Sequence, residues 1–436
     1  MAGRSASAFF FLVLVLAVGG VGWLLYTNGA PDPASPGPAS VVLGRVNPPD
    51  GGEDGAAVPN PPQAGKPRKP KKPAPLPPEP PIPATPEACL AFLREQAGPF
   101  RAPKGAAAPL LPGARIEALD ALLALSEAEA APLVLQALGG DGEPGDWNLA
   151  EVRLHAAGIR IRQGQADGAE TVKAYLKEEP DLGGNSGSAE AARAATRLPP
   201  EEGANIVRRL LAVDLSEYDA DTTLPAILQA AATLGAGATP ADLKRILDAK
   251  DENSFGEAAQ GAAAGALLRL GDDSGRAAMD AVRESDWFSG DDFAAALGAR
   301  GNASAIPWLA EMLGADDPFT RGAAARALGV VGGPEVTAPL RKAMADEDAD
   351  VRAEAAVALA LLGNSGDLPA VRAALHLRDD DLRVLAWKAL ALHPDPDAKE
   401  EAVRLLGTPS PNIRDSRREP AVRERVWAAV IVCKAR

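Results

Sequence analysis

Apolar residues return every three or four positions through the stretch VRAEAAVALALLG, so that Val351, Ala355, Leu359 and Leu362 share one stripe. That spacing is the period of an α-helix with one buried face, and Gly363 supplies the stop. A second, shorter apolar set follows at Leu368, Val371 and Leu375. The pattern predicts a pair of helices, neither able to bury its stripe alone, so the pairs must stack on one another.

The pair recurs. Cutting the chain every 31 residues at Asp286, Asp317, Asp348 and Asp379 gives four pieces without a gap, ending near Pro409. The last three share Asp at the first position, Arg at the fifth (Arg321, Arg352, Arg383), Ala at the eighth and Ala-Leu at the eleventh and twelfth. The first keeps Asp286, Ala296 and Leu297 but has Gly290 in place of the Arg. A fixed period of this length marks a repeat architecture. The pattern resembles the HEAT repeat, and its short bacterial form in particular. The resemblance covers Asp286 to Gly407 closely and the chain back to Glu87 more loosely. It implies an all-α fold, an α-solenoid (superhelix) of about ten HEAT-like helix pairs over 87–436.

Earlier copies are less regular. Thr85-Pro86-Glu87 opens the first helix, and Ile116 to Leu125 is an apolar stripe. Ser126 with Glu129 reads as a capping box. Val152 to Gly164 repeats the layout of Val351 to Gly363, with Arg153 as its Arg, and Thr239-Pro240 opens another helix. Val422 to Ala435, with Arg423, is a final copy. Irregular first and last copies are expected to cap the two ends of an extended rod.

The N-terminal part has a different pattern. A short tail (1–7) precedes 8–26, which runs without a charge from Ala8 to Tyr26. At about 1.5 Å per residue this helix would be roughly 28 Å long, close to one hydrocarbon thickness. Trp23 and Tyr26 stand at its far end, where interfacial aromatics belong. We read 8–26 as a transmembrane anchor helix, with a cleaved signal peptide as the alternative. Arg4 precedes the span, which favours a cytoplasmic N-terminus and an extracytoplasmic solenoid, as in a bacterial cell envelope. Residues 27–86 form a Pro-rich disordered linker, with 19 of the 40 prolines between 31 and 86 and a basic run from Lys66 to Lys72.

Charge narrows the partners. The formal net charge is −14; residues 1–30 and 31–86 each carry +1, which leaves −16 on 87–436. So acidic a domain repels a nucleic-acid backbone and favours a protein partner with a basic face. The two cysteines, Cys89 and Cys433, fall at opposite ends of the expected rod, so no intramolecular disulfide is expected.

Chemistry-bearing motifs are weak. Asp346, Asp348 and Asp350 alternate like a calcium loop, but the sixth and twelfth places hold Val351 and Val357 rather than Gly and Glu. The acidic turn instead suits a helix N-terminus. His155, His376 and His393 show no ligand spacing, and the turn Gly183 to Gly187 lacks the Lys of a phosphate loop. No catalytic, cofactor or metal residue is assigned. Arg153, Arg321, Arg352, Arg383 and Arg423 are read as a structural ladder tying successive turns. Trp308, Trp387 and Trp427 are expected to pack between pairs. Trp147, Trp287 and Phe288 lie near predicted turns and are the candidate protein contacts, with an inter-repeat plug as the alternative for Trp287 and Phe288.

The expected function is therefore a membrane-anchored, non-catalytic scaffold that binds a protein. The resemblance also implies two alternatives, a phycobilin-lyase-like enzyme and a HEAT-like nucleic-acid binder.

Overall fold

The computed structural model describes residues 80–98, 112–139, 147–178, 186–215, 218–248, 257–283, 290–409 and 418–434. Among them are twenty α-helices and two short 3-10 turns, and no strand. In chain order the helices are α1 (Pro86–Ala97), α2 (Pro112–Leu125), α3 (Glu127–Gly139), α4 (Trp147–Arg162), α5 (Ala166–Glu178), α6 (Ser186–Ala195) and α7 (Pro200–Leu210). There follow α8 (Thr223–Leu234), α9 (Pro240–Asp248), α10 (Glu257–Leu270), α11 (Asp273–Arg283), α12 (Gly290–Leu297), α13 (Ile306–Met312) and α14 (Pro318–Val331). The last six are α15 (Thr337–Ala343), α16 (Ala349–Leu361), α17 (Leu368–Ala374), α18 (Asp380–Leu392), α19 (Pro396–Gly407) and α20 (Arg418–Lys434). No helix among the described residues is long and apolar enough to cross a membrane. The expected anchor at 8–26 and most of the expected linker at 27–86 lie outside the described residues.

Each even-numbered helix packs on the even helix before it and the one after, from α2 through α20. The series then closes, because α20 packs on α2 as well as on α18. The odd helices sit outside, each against one or both flanking even helices. The sequence divides the two layers. An odd helix is plainly amphipathic: α7 buries Ile206, Val207 and Leu210 while Glu201, Asn205 and Arg208 face solvent. Each of those burials stabilises the fold by about 1.5–3 kcal/mol. An even helix is buried nearly all round; α16 hides every residue from Ala353 to Ala360.

Small side chains explain the tight inner ring. A Cβ built on Gly329 of α14 would stand 2.8 Å from Ala358 Cβ of α16, and one on Gly298 would stand 3.2 Å from Ala327 Cβ. Inner helices thus approach closely while larger residues hold the outer ones apart. That taper bends every pair the same way until the ends meet.

The closed ring corrects the expectation of an extended, capped rod. The first and last copies do not cap free ends; they share one core, in which Leu93, Leu119 and Leu122 join Leu390, Trp427 and Val430. Hydrogen bonds stitch the seam. Ile82 N donates to Leu406 O at 2.9 Å, Arg425 to Pro80 O at 2.9 Å, and Ala114 N to the Glu419 carboxylate at 3.1 Å. The premise that the two cysteines lie far apart falls for the same reason, although they form no disulfide. Cys433 Sγ lies 3.6 Å from Pro86 O, one turn from Cys89, and both cysteines are reduced thiols. Burial, with Cys433 beside it, pushes the Cys89 thiol up to about 12.

Local readings fared unevenly. Thr85 accepts from Ala88 N at 3.2 Å and caps α1, and Thr239 accepts from Asp242 N at 3.2 Å at the start of α9. Glu129, expected to complete a capping box with Ser126, instead accepts from Arg94 of α1 at 2.9 Å.

Candidate functional site

Two places in the ring gather polar chemistry: its interior and one rim. The interior is narrow, since side chains reach past the adjacent inner helix to the next one. Gln229 of α8 donates to Ala295 O and Ala296 O of α12 at 3.3 and 3.2 Å. Lys388 of α18 lies 3.6 Å from Glu117 of α2. Charged residues at inward positions of inner helices are therefore enclosed by protein.

The first interior network spans α2, α4 and α6. His155 Nε2 is 3.0 Å from Asp120 Oδ1, and its Nδ1 is 3.6 Å from Glu190 Oε2. Arg193 also pairs with Glu190, and Arg162 Nη2 lies 4.0 Å from Asp120. Burial alone would raise the Asp120 carboxyl, but the charge and hydrogen bond of His155 outweigh it and hold it below the usual range. Glu190 balances in the same way, with burial opposed by Arg193 and His155, and is drawn down to about 2. For His155 burial opposes the charge, yet the carboxylates on both sides raise its pKa.

The second network lies across the seam. Glu117 accepts from Arg423 at 3.1 Å and from Trp427 Nε1 at 2.8 Å, with the Lys388 ammonium 5.0 Å from the Trp427 ring centre. Arg423 also reaches Asp381 at 3.1 Å. On the far side Arg326 pairs with Glu354 at 2.8 Å and Asp379 at 2.9 Å. Burial is the main reason that the Glu354 carboxyl is pushed up to about 7 despite Arg326, with Asp379, Asp350 and Asp348 adding to the rise.

The rim carries the repeated turns. Asp317, Asp348 and Asp379 each accept backbone N–H groups at the start of α14, α16 and α18, as at 2.7 Å from Thr320 N. The Asp346 carboxylate takes both Arg321 Nε and Nη2 at 2.9 Å, so the calcium-like acidic run is engaged in capping and pairing. Outward from these caps stand Asp316, Asp350, Glu347 at 91 % side-chain exposure and Phe319 at 73 %.

The ladder arginines share one habit. Arg321 Nη1 donates to Ala315 O and Asp316 O, Arg352 Nη1 to Asp346 O and Glu347 O, and Arg383 Nη1 to Leu377 O, all within 2.7–2.9 Å. Each holds the carbonyls of the turn before its own helix. Arg153 instead donates to Leu138 O at 3.2 Å, and Arg423 turns inward to the seam. Trp308, Trp387 and Trp427 are buried. Trp147 is the first residue of α4, whereas Trp287 and Phe288 lie outside the described residues. Reading the sequence missed the interior network altogether. Its signal is the 35-residue spacing of Asp120, His155 and Glu190, which puts three chargeable groups at one position of successive inner helices.

Residues 292–360 match the family model described as HEAT repeats. This stretch is similar to HEAT repeats. This match overlaps the 31-residue period from its first piece into the one that starts at Asp348. No curated protein matches the chain. Among solved structures, the CpcE–CpcF complex of phycocyanin lyase from Nostoc sp. PCC7120 aligns at 20 % identity and a TM-score of 0.24, covering 63 % of this chain and 92 % of that one. An engineered protein aligns at 18 % identity and a TM-score of 0.27, covering 80 % of this chain and 95 % of its own.

Proposed function

We propose that this protein is a non-catalytic HEAT-repeat scaffold, tethered to a membrane through 8–26, which docks a protein partner with a basic surface on the rim that carries α14, α16 and α18. One observation supports it most: exposed Phe319 shares the rim of repeated turns with exposed carboxylates at Asp316, Glu347 and Asp350. An aromatic anchor ringed by charge is the arrangement that concentrates binding energy at the centre and steers a complementary partner from a distance. The capping aspartates beneath are already committed to backbone N–H groups, while the outward carboxylates, Glu347 with Arg321 at 3.7 Å, lie at the surface where a partner can meet them. The long linker would let the ring meet a partner away from the bilayer.

The test places a photocrosslinking phenylalanine analogue at Phe319 in the native host, with the same analogue at Val403 on the outer layer as control. The expected result is one protein crosslinked from Phe319 only. Its purified form should bind the full chain, and binding should weaken about tenfold or more in Phe319→Ala and in Glu347→Lys, and with added salt. Equal crosslinking from both positions, or affinity indifferent to both substitutions, would overturn the proposal.

A further inference from the structure

On one face of α4, His155, Gly158 and Arg162 follow at intervals of three and four residues. The guanidinium of Arg197, from the turn after α6, lies across Gly158: a Cβ on that glycine would stand 1.9 Å from Arg197 Nη1. Gly158 is thus the cradle that lets Arg197 settle one helical turn from Arg162. Two guanidinium groups held side by side inside a protein repel, and each donates N–H groups that need acceptors. Arg162 Nη2 and Arg197 Nη1 are both covered and have no hydrogen-bond acceptor among the described residues.

The nearby carboxylates are already spoken for. Asp120 is bonded to His155, with Arg162 only at 4.0 Å, and Glu190 is shared by His155 and Arg193. Two carboxylates therefore face three arginines, an excess of one positive charge before His155, whose pKa they raise, is counted, in a chain that is −14 overall. Arg300, just past α12, feels the charge of Arg162 from across the interior. Burial first and Arg162 second depress the Arg197 pKa, and the Glu190 and Asp120 carboxylates offset them only in part. Part of the Arg162 side chain, 18 %, touches solvent, although its Nη2 is covered, so an entering anion would displace the atoms over it.

We infer that Arg162 and Arg197, with Gly158 as their cradle, form an oxyanion site inside the ring that takes a phosphate group, either free phosphate or the phosphate of a small monoester. Planar guanidinium forks match tetrahedral oxyanions, and charge-assisted bonds to them are about twice as strong as neutral ones. The bound anion would lie between the α4 and α6 layers and tie them together. This inference is independent of the rim, which lies on other repeats.

The experiment titrates the full chain in detergent with sodium phosphate, and separately with glycerol 1-phosphate, against sodium chloride at equal ionic strength. Thermal unfolding and calorimetry are the readouts. The expected result is a saturable rise in Tm with at least one phosphate compound and none with chloride. Tighter binding of the monoester would assign the site to a phosphorylated metabolite, and equal or tighter binding of inorganic phosphate would assign it to the free ion. Arg162→Gln and Arg197→Gln should each weaken the half-saturating concentration roughly tenfold or more. Circular dichroism confirms that the variants keep their helix content. Gly158→Ala provides a milder second variant, which pushes the Arg197 guanidinium aside and should weaken binding without removing a charge. A response matched by chloride, or one unchanged in both arginine variants, would overturn the site.

Discussion

If the ring is closed, residues at the two ends of the chain must be energetically coupled. Glu117 and Trp427 are 310 positions apart, yet the indole Nε1 donates to the buried carboxylate at 2.8 Å. The perturbation is a double-mutant cycle with Glu117→Leu and Trp427→Phe. The first leaves Lys388 and Arg423 without their shared counter-charge, and breaking such a buried pair costs about 3–5 kcal/mol. The second removes the indole N–H and part of the ring under the Lys388 ammonium. A hydrogen bond to a buried charge contributes about 1.5–3 kcal/mol, and the cycle should return a coupling of that order. In an open rod the two sites would be far apart, and their effects would add to within about 0.5 kcal/mol. Guanidinium denaturation of the full chain, followed by far-ultraviolet circular dichroism, measures all four corners of the cycle. Additive losses would refute closure, however destabilising each substitution proved alone.

Other consequences are open to direct measurement. The Glu354 carboxyl is raised above its unfolded value, so the folded state holds the extra proton and stability should fall as pH rises from about 4.5 to about 7. Glu354→Gln should remove that slope and be the more stable protein at pH 8; an unchanged difference between the two proteins across pH 5–8 would contradict it. Gly329→Ala should lower stability by about 1–3 kcal/mol, despite the helix propensity gained, because the new methyl meets Ala358 at 2.8 Å. Cys89, buried and with its thiol pushed up to about 12, should escape iodoacetamide at pH 8 in the native chain and react once unfolded, as peptide mass spectrometry would show.

The helix pairs were legible because their cause is local. Positions such as Val351, Ala355 and Leu359 repeat at the helical period, glycines stop the helices, and Asp348 or Asp379 starts them. Closure was not legible, because it needs a rotation of about 36° at each of ten successive pairs, a full turn divided by ten, and no single pair announces that angle in its sequence. The residues that carry that angle, Gly298, Gly329 and the alanines opposite them, look in sequence like ordinary helix interior. The distance between the cysteines was misjudged for the same reason: they lie near the two ends of the chain, and a ring brings those ends together, yet both remain free thiols.

The interior charges follow from closure in turn. In α2, Leu119 and Leu122 set an apolar stripe, and Arg115, Glu117 and Asp120 read as the solvated side of that helix. Once the ring shuts, the solvated side has no outside to face, and all five residues are buried. Charges so enclosed must be matched one by one, and most are: Glu117 by Arg423 and Lys388, Asp120 by His155, Glu190 by Arg193, Glu354 by Arg326. Some covered nitrogens of these groups still lack a hydrogen-bond acceptor among the described residues, Lys388 Nζ being one, but at Arg162 and Arg197 two such guanidinium nitrogens come close together beside carboxylates that are already engaged. A glycine is spent there to bring the second guanidinium in, although placing any other residue at position 158 would have pushed it away. Packing alone does not call for that arrangement, whereas a phosphate group held between the two would give both guanidinium groups an acceptor.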